Sequence, residues 1–175
     1  MGIVRLNHAV LYVRDLAETV RFYTDVLGFR RVDMTPESFA GAAFLQAAGS
    51  TNDHDLGLFE IGAAAGPSGA GRSTVGLYHL AWEVDTLDEL EATAARLSAA
   101  GALVGTSDHG TTKSLYGHDP NGIEFEIVWL IPADLLDDDA RAGRKTIRHL
   151  DLAKEKARYG AGTRGGVGIS VAAAR

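Results

Sequence analysis

The feature that most constrains this chain is that part of it occurs twice. "LNHAVLYVRDLAETVRFYTDVLGF" (residues 6–29) and "LYHLAWEVDTLDELEATAARLSAAG" (residues 77–101) follow one plan. With Leu6 set on Leu77, His8 falls on His79, Val13 on Val84 and Leu16 on Leu87. Each copy opens as an apolar strand, turns at an aspartate and enters a stretch with helical apolar spacing. The spaced residues are Val20, Tyr23 and Leu27 in the first copy, and Leu90, Ala94 and Leu97 in the second. Asp15 and Asp85 lie near the helix starts, where a carboxylate can accept from free N–H groups. Three shorter strand candidates follow each helix. They are "FRRVDM", "AGAAFLQAA" and "HDLGLFEIG" in the first half, and "ALVGTS", "KSLYGH" and "IEFEIVWL" in the second.

The fold class that follows is α+β, built from two βαβββ modules over residues 1–62 and 76–131. A four-stranded sheet with strands of ~5–6 residues is too small to bury its own face. The modules are therefore expected to pair into a cup-shaped, barrel-like mixed sheet. Residues 63–75, rich in glycine and small residues, read as a linker. Residues 132–175 read as an extension, helical in parts, with acid early and base late. Its last fifteen residues are small and glycine-rich, suited to a mobile tail or to an arm reaching a partner subunit.

A net charge of −6 argues against general nucleic-acid binding, which needs a basic face. No apolar run approaches the ~20 residues of a membrane span. The opening "MGIVRLNHAV" lacks the regions of a signal peptide, so a cytoplasmic protein without a membrane partner is expected. A homodimer or higher homo-oligomer is the base expectation for assembly. There is no cysteine, so any metal must be held by histidine and carboxylate.

His8 and His79 occupy equivalent repeat positions near strand starts. Alternation along a strand puts His8 with Val10 and Tyr12, and His79 with Ala81 and Glu83. A lone strand histidine is usually structural. Two at equivalent positions can meet where the modules pair, and two imidazoles suit a divalent metal. Glu126, beyond the turn "DPNG", is the best carboxylate partner, with Glu124 expected to be a solvent-facing bystander. Two histidines and one carboxylate leave three positions open, as in the facial triad of non-haem iron oxygenases. Fe(II) with one carboxylate carries a net charge of about +1, which suits a deprotonated catechol.

"NHAVLYVRDL…RFYTDVLGF", "YHLAWEVDTLDEL" and "DPNGIEFEI" resemble signatures of the vicinal-oxygen-chelate superfamily. Its members include glyoxalase I, the bleomycin and fosfomycin resistance proteins and the extradiol ring-cleaving dioxygenases. The resemblance covers about residues 3 to 131 and implies paired modules around a metal site. By motif, His8, His79 and Glu126 match the metal ligands. "NDHDLGLFE" resembles the extradiol segment bearing an acid/base histidine, here His54. "DHGTTKSLYGHDPNG" resembles the segment bearing the substrate-binding histidine and active-site tyrosine, here His109 and Tyr116. The chain lacks the inactive N-terminal half of large extradiol enzymes, so it looks like a one-domain member.

The implied reaction opens a small aromatic diol of the catechol type with O2. Fe(II) is the first expectation for the metal, with Mn, Zn and Ni as alternatives. Tyr116 or His54 would assist the loss of a diol proton, His54 would later return a proton, and His109 would hydrogen-bond a substrate oxygen. A glyoxalase I-like lyase with Zn or Ni is an alternative. In that reading Glu60 of "LFEIG" mirrors Glu126 of "EFEIV" as a fourth ligand. His54 and Glu60 lie ~20 Å apart on a straight strand, so only one of them reaches the site. A non-catalytic, antibiotic-binding protein is the third reading, and it has no need of the histidine pair.

The "DPNG" turn carries a register expectation. If Gly122 takes a left-handed bulge conformation, Asp119 pairs near Ile123 and Tyr116 faces Glu126. A register shifted by one would send them to opposite faces.

Overall fold

The computed structural model describes residues 2–3, 5–34, 39–71 and 73–166. The glycine-rich tail expected at the C-terminus falls largely on 167–175, outside the described residues. The chain divides into two compact units, Met1–Gly69 with Asp119–Gly122, and Ala70–His118 with Ile123–Arg175. Each holds one four-stranded mixed sheet, so the α+β class and the strand–helix–three-strand plan both stand.

In the first unit β1 (Ala9–Val13) is followed by α1 (Leu16–Arg21), β2 (Arg30–Val32), β3 (Ala42–Gln46) and β4 (Leu56–Glu60). The sheet order is β1-β4-β3-β2, with β1 parallel to β4 and the other pairs antiparallel. The Asp15 carboxylate caps α1 by accepting from Glu18 N at 2.8 Å. The helix continues as a π-helical turn, Phe22–Val26, which turns Tyr23 into the core. Leu11, Val13, Tyr23, Leu45, Leu56 and Leu58 pack that core. The "DPNG" turn belongs to this unit. Asn121 accepts from Arg14 N at 2.8 Å and donates to Thr19 Oγ1 at 3.0 Å. Asp119 accepts from the Tyr23 hydroxyl.

In the second unit β5 (His79–Glu83) leads to α2 (Leu87–Ala99), β6 (Leu103–Asp108), β7 (Thr112–His118) and β8 (Glu124–Leu130). The order is β5-β8-β7-β6, again with the first pair parallel. The cap of α2 departs from the sequence reading. Thr86 rather than Asp85 accepts from Glu89 N, at 3.1 Å. Asp85 instead receives Gly165 N on its carbonyl and faces Arg164. Leu90 and Leu97 of α2 are fully buried, as are Leu115 and Trp129 of the sheet.

The extension adds α3 (Asp138–Gly143) and α4 (Leu152–Tyr159), the latter lying on α2. Lys156 of α4 pairs with both Asp88 and Glu91 of α2 at 2.7 Å. Trp129 Nε1 donates to Thr163 O at 3.2 Å. Among the described residues no helix is long and apolar enough to cross a membrane.

Candidate functional site

The register of the β7–β8 hairpin fixes most of the site. Gly122 has φ +78°, its N–H reaches Asp119 O at 2.9 Å, and Asp119 Oδ1 accepts from Asn121 N. The left-handed glycine lets the turn close without strain. The ladder then pairs Tyr116 with Glu126 and His118 with Glu124. Tyr116 and Glu126 therefore share a face, as the turn chemistry implies.

Four of the residues singled out from the sequence gather here. His79 Nε2 lies 3.3 Å from Glu126 Oε2. The Tyr116 hydroxyl is 3.3 Å from Glu126 Oε1 and 2.9 Å from His109 Nε2. His109 Nε2 is also 2.7 Å from Ser107 Oγ. A chain of polar contacts thus runs from His79 through Glu126 and Tyr116 to His109. Burial raises the pKa of Tyr116, and the Glu126 carboxylate pushes it the same way, so the phenol keeps its proton at neutral pH. Ser107 is a neighbour the sequence reading missed. It lies two residues before His109 and stands opposite Ser114 in the β6–β7 ladder.

Glu124 corrects an expectation. It stands two residues from Glu126 on β8, so the period of a strand puts both on one face. Its Oε1 is 3.7 Å from His79 Nδ1 and its Oε2 is 3.6 Å from His118 Nε2. Only about a fifth (22%) of its side chain is exposed, so it is no solvent-facing bystander. The two nitrogens of His79 consequently each look toward a carboxylate.

The other two residues lie together in the first unit. The rings of His8 and His54 are 4.4 Å apart, and His54 also packs edge-on against Phe44 at 5.1 Å. His8 is exposed, while His54 is buried. Asp55 organises the loop that delivers His54. Its carboxylate accepts from Ala47 N at 2.9 Å, Ser50 Oγ at 2.7 Å and Asn52 Nδ2 at 2.7 Å. Asp53 accepts from His54 N at 2.8 Å, and that bond is the main reason its carboxyl is held below the ordinary range.

Glu60, the rival to His54, is engaged elsewhere. Its Oε2 accepts from Leu16 N at 2.8 Å, at the start of α1, where a carboxylate also meets the positive end of the helix. It is exposed at the far end of β4 from His54.

The donor chemistry of the second unit fits a divalent metal. An imidazole Nε2 and a carboxylate oxygen 3.3 Å apart have the spacing of two donors that each sit about 2.1 Å from one ion. Within either unit, among the described residues, no three histidine or carboxylate side chains already form a metal-holding group.

Residues 5–127 match the model of the Glyoxalase/Bleomycin resistance protein/Dioxygenase superfamily. The chain belongs to that superfamily. It is 32% identical over 125 residues to the catechol-2,3-dioxygenase of Bacillus subtilis (strain 168), covering 70% of this chain and 40% of that protein. It is 27% identical over 148 residues to the manganese-dependent 2,3-dihydroxybiphenyl 1,2-dioxygenase of Geobacillus genomosp. 3, covering 82% and 41%. The chain thus spans about two-fifths of the length of these relatives. The glyoxylase/bleomycin resistance protein/dioxygenase domain from Frankia sp. EAN1pec shares the fold at a TM-score of 0.61. It is 24% identical and covers 73% of this chain and 92% of its own.

Proposed function

We propose that this superfamily member is an extradiol ring-cleaving dioxygenase acting on a catechol-type aromatic diol with O2. One observation carries the reading. Tyr116 bridges Glu126 and His109, so a proton-bearing hydroxyl and an imidazole stand beside the His79–Glu126 pair. An isomerase of the glyoxalase type has no use for that hydroxyl and imidazole. The relatives named as catechol and dihydroxybiphenyl dioxygenases support the same reaction class.

His79 and Glu126 are proposed as metal ligands from their geometry, and His8 from its equivalent place in the repeat and its motif. A divalent metal held by these residues would supply Lewis acidity and electron-transfer chemistry. Iron is the first candidate, and the manganese-dependent relative supports manganese as the second. His109 accepts or donates a hydrogen bond at one diol oxygen. Tyr116, holding its proton, donates a hydrogen bond rather than taking a proton. By its motif His54 is proposed as the group that exchanges protons with the diol, a task suited to an imidazole. The net reaction breaks the ring C–C bond beside the diol and places both oxygen atoms of O2 in the product. The engagement of Glu60 with α1 favours this reading over a four-ligand glyoxalase site.

The test is anaerobic reconstitution with Fe(II), and separately with Mn(II). Catechol and 2,3-dihydroxybiphenyl are then added, followed by air. A yellow ring-fission product with matching oxygen uptake is expected. Failure across a diol panel, with turnover of a glutathione hemithioacetal under Zn(II) or Ni(II), overturns the proposal in favour of the lyase.

A further inference from the structure

The most deeply buried charges in the second unit surround the turn that bears His109, and the reaction has no use for them. Lys113 of β7 is fully buried, with 1% of its side chain exposed. Its Nζ is 2.5 Å from Asp108 Oδ1, 3.0 Å from Glu155 Oε2 of α4 and 3.3 Å from Gly110 O. Asp108 Oδ1 also accepts from Gly110 N at 2.7 Å. Burial alone would raise the Asp108 carboxyl, but the bonds from Lys113 and Gly110 outweigh it and hold it low. Asp108 and Glu155 therefore flank one ammonium, on either side of His109's turn and the C-terminal extension.

The extension grips the same turn through its backbone. Asp108 N donates to Arg148 O, and Arg148 N to Asp108 O, both at 2.9 Å. Gly110 has φ +76°, and a Cβ there would come within 2.5 Å of Ala140 O and Gly143 C. The turn is thus clamped between β7 and residues 140–155 of the extension. Stability does not explain the choice of charges, because a buried ion-pair cluster is commonly no more stabilising than apolar residues of the same volume. What the cluster does supply is a fixed contact, since the Lys113 ammonium donates to Asp108 and to Gly110 O and pairs by charge with Glu155 at 3.0 Å.

We propose that Lys113 and Glu155 are positioning residues through which the C-terminal extension sets the orientation of His109. They hold the Asp108–Thr111 turn so that His109 Nε2 stays on the Tyr116 hydroxyl and within reach of a bound diol oxygen. The diol part of this assignment rests on the function proposed above, whereas the orientation of the ring does not.

The test compares Glu155→Ala with the isosteric Glu155→Gln, which keeps the shape and a polar oxygen near Lys113 but removes the charge. Long-range 1H–15N spectra of the metal-free protein report the tautomer and environment of each histidine ring. Glu155→Ala is expected to shift the His109 ring signals and leave those of His54 unchanged, and Glu155→Gln, which keeps the shape but loses the charge, to leave the His109 signals partway between the two. In metal-loaded protein, Glu155→Ala should raise KM for catechol about tenfold, the scale of one hydrogen bond to a charged group. Metal content should be unchanged and kcat little affected. Unaltered His109 signals in folded Glu155→Ala, or a loss of thermal stability with KM unmoved, overturn the proposal. If Glu155→Ala does not fold, Glu155→Gln decides alone. Its His109 signals should move partway and its KM should rise, and wild-type values for both overturn the assignment. Shifted His109 signals in a protein that never cleaves a diol would uphold the clamp while removing the dioxygenase reading.

Discussion

Tyr116 stands directly opposite Glu126 on the β7–β8 ladder, its hydroxyl 3.3 Å from Oε1 of that carboxylate and 2.9 Å from His109 Nε2. A phenol in this position links a proposed metal ligand to a proposed substrate-binding group. Neither strand alone could do so, because each contributes one end of the contact.

Tyr116→Phe removes that link and keeps the ring. If the hydroxyl acts on the diol, kcat for ring cleavage should fall by about 10²-fold, a usual share for a positioned proton-bearing group. Metal content, measured by plasma emission on the purified variant, should match the wild type. Loss of metal would move Tyr116 from substrate handling to ligand support.

His54→Phe preserves an aromatic ring against Phe44 and His8 while abolishing proton transfer. Turnover should drop by ~10²–10⁴-fold, the range for loss of a general acid/base. The melting temperature should stay near that of the parent. Wild-type turnover in this variant would remove His54 from the mechanism and reopen the case for Glu60.

Alkaline pH should unfold the protein through its buried phenols. Burial, reinforced by the Asp119 carboxylate, raises the pKa of Tyr23 well above its ordinary value, and burial pushes Tyr159 up to about 12. Unfolded tyrosine ionises at about pH 10. The folded state therefore holds these protons more tightly. The stability they contribute is complete below about pH 10 and is lost as pH rises toward the folded values. Tyr23 alone should give a slope approaching about 1.4 kcal/mol per pH unit above pH ~10. Urea midpoints measured between pH 8 and 11.5 should fall steeply at the top of that range. Tyr23→Phe should flatten the fall, at a cost of ~1–3 kcal/mol near neutrality because Asp119 loses a donor.

Gly110→Ala tests the tight approach of the extension to the His109 turn. The left-handed φ and a Cβ 2.5 Å from Ala140 O combine strain with collision. Destabilisation of at least ~1–3 kcal/mol is expected in urea unfolding. A Gly28→Ala control shares a φ of +74° but meets nothing within 4 Å, so it should cost less.

Much of this architecture is local and could be read in the sequence. The repeat announces two modules because the apolar periods of β1–α1 and β5–α2 are set by residues adjacent in the chain. The Tyr116–Glu126 register was legible for the same reason, since "DPNG" dictates its own turn and the turn dictates the ladder. Asp15 capping α1 is also a short-range event.

The charged groups were different. Glu60 at the start of α1, Thr86 in place of Asp85 at α2, and Glu124 beside His79 each depend on which partner the fold delivers. Nothing in the residues next to Lys113 marks it as buried, yet Glu155, far along the chain, meets it in the core. Periodicity and turn chemistry report on neighbours a few residues away, so they determined the sheets and the hairpin register, while His54, His109 and Tyr116 were marked by the family resemblance. Whether a charge is buried, and against what, depends on elements brought together from distant parts of the chain, because its free energy is set by local solvent access and by the nearest opposite charge. The surroundings of Glu60, Glu124 and Lys113 come from that long-range assembly.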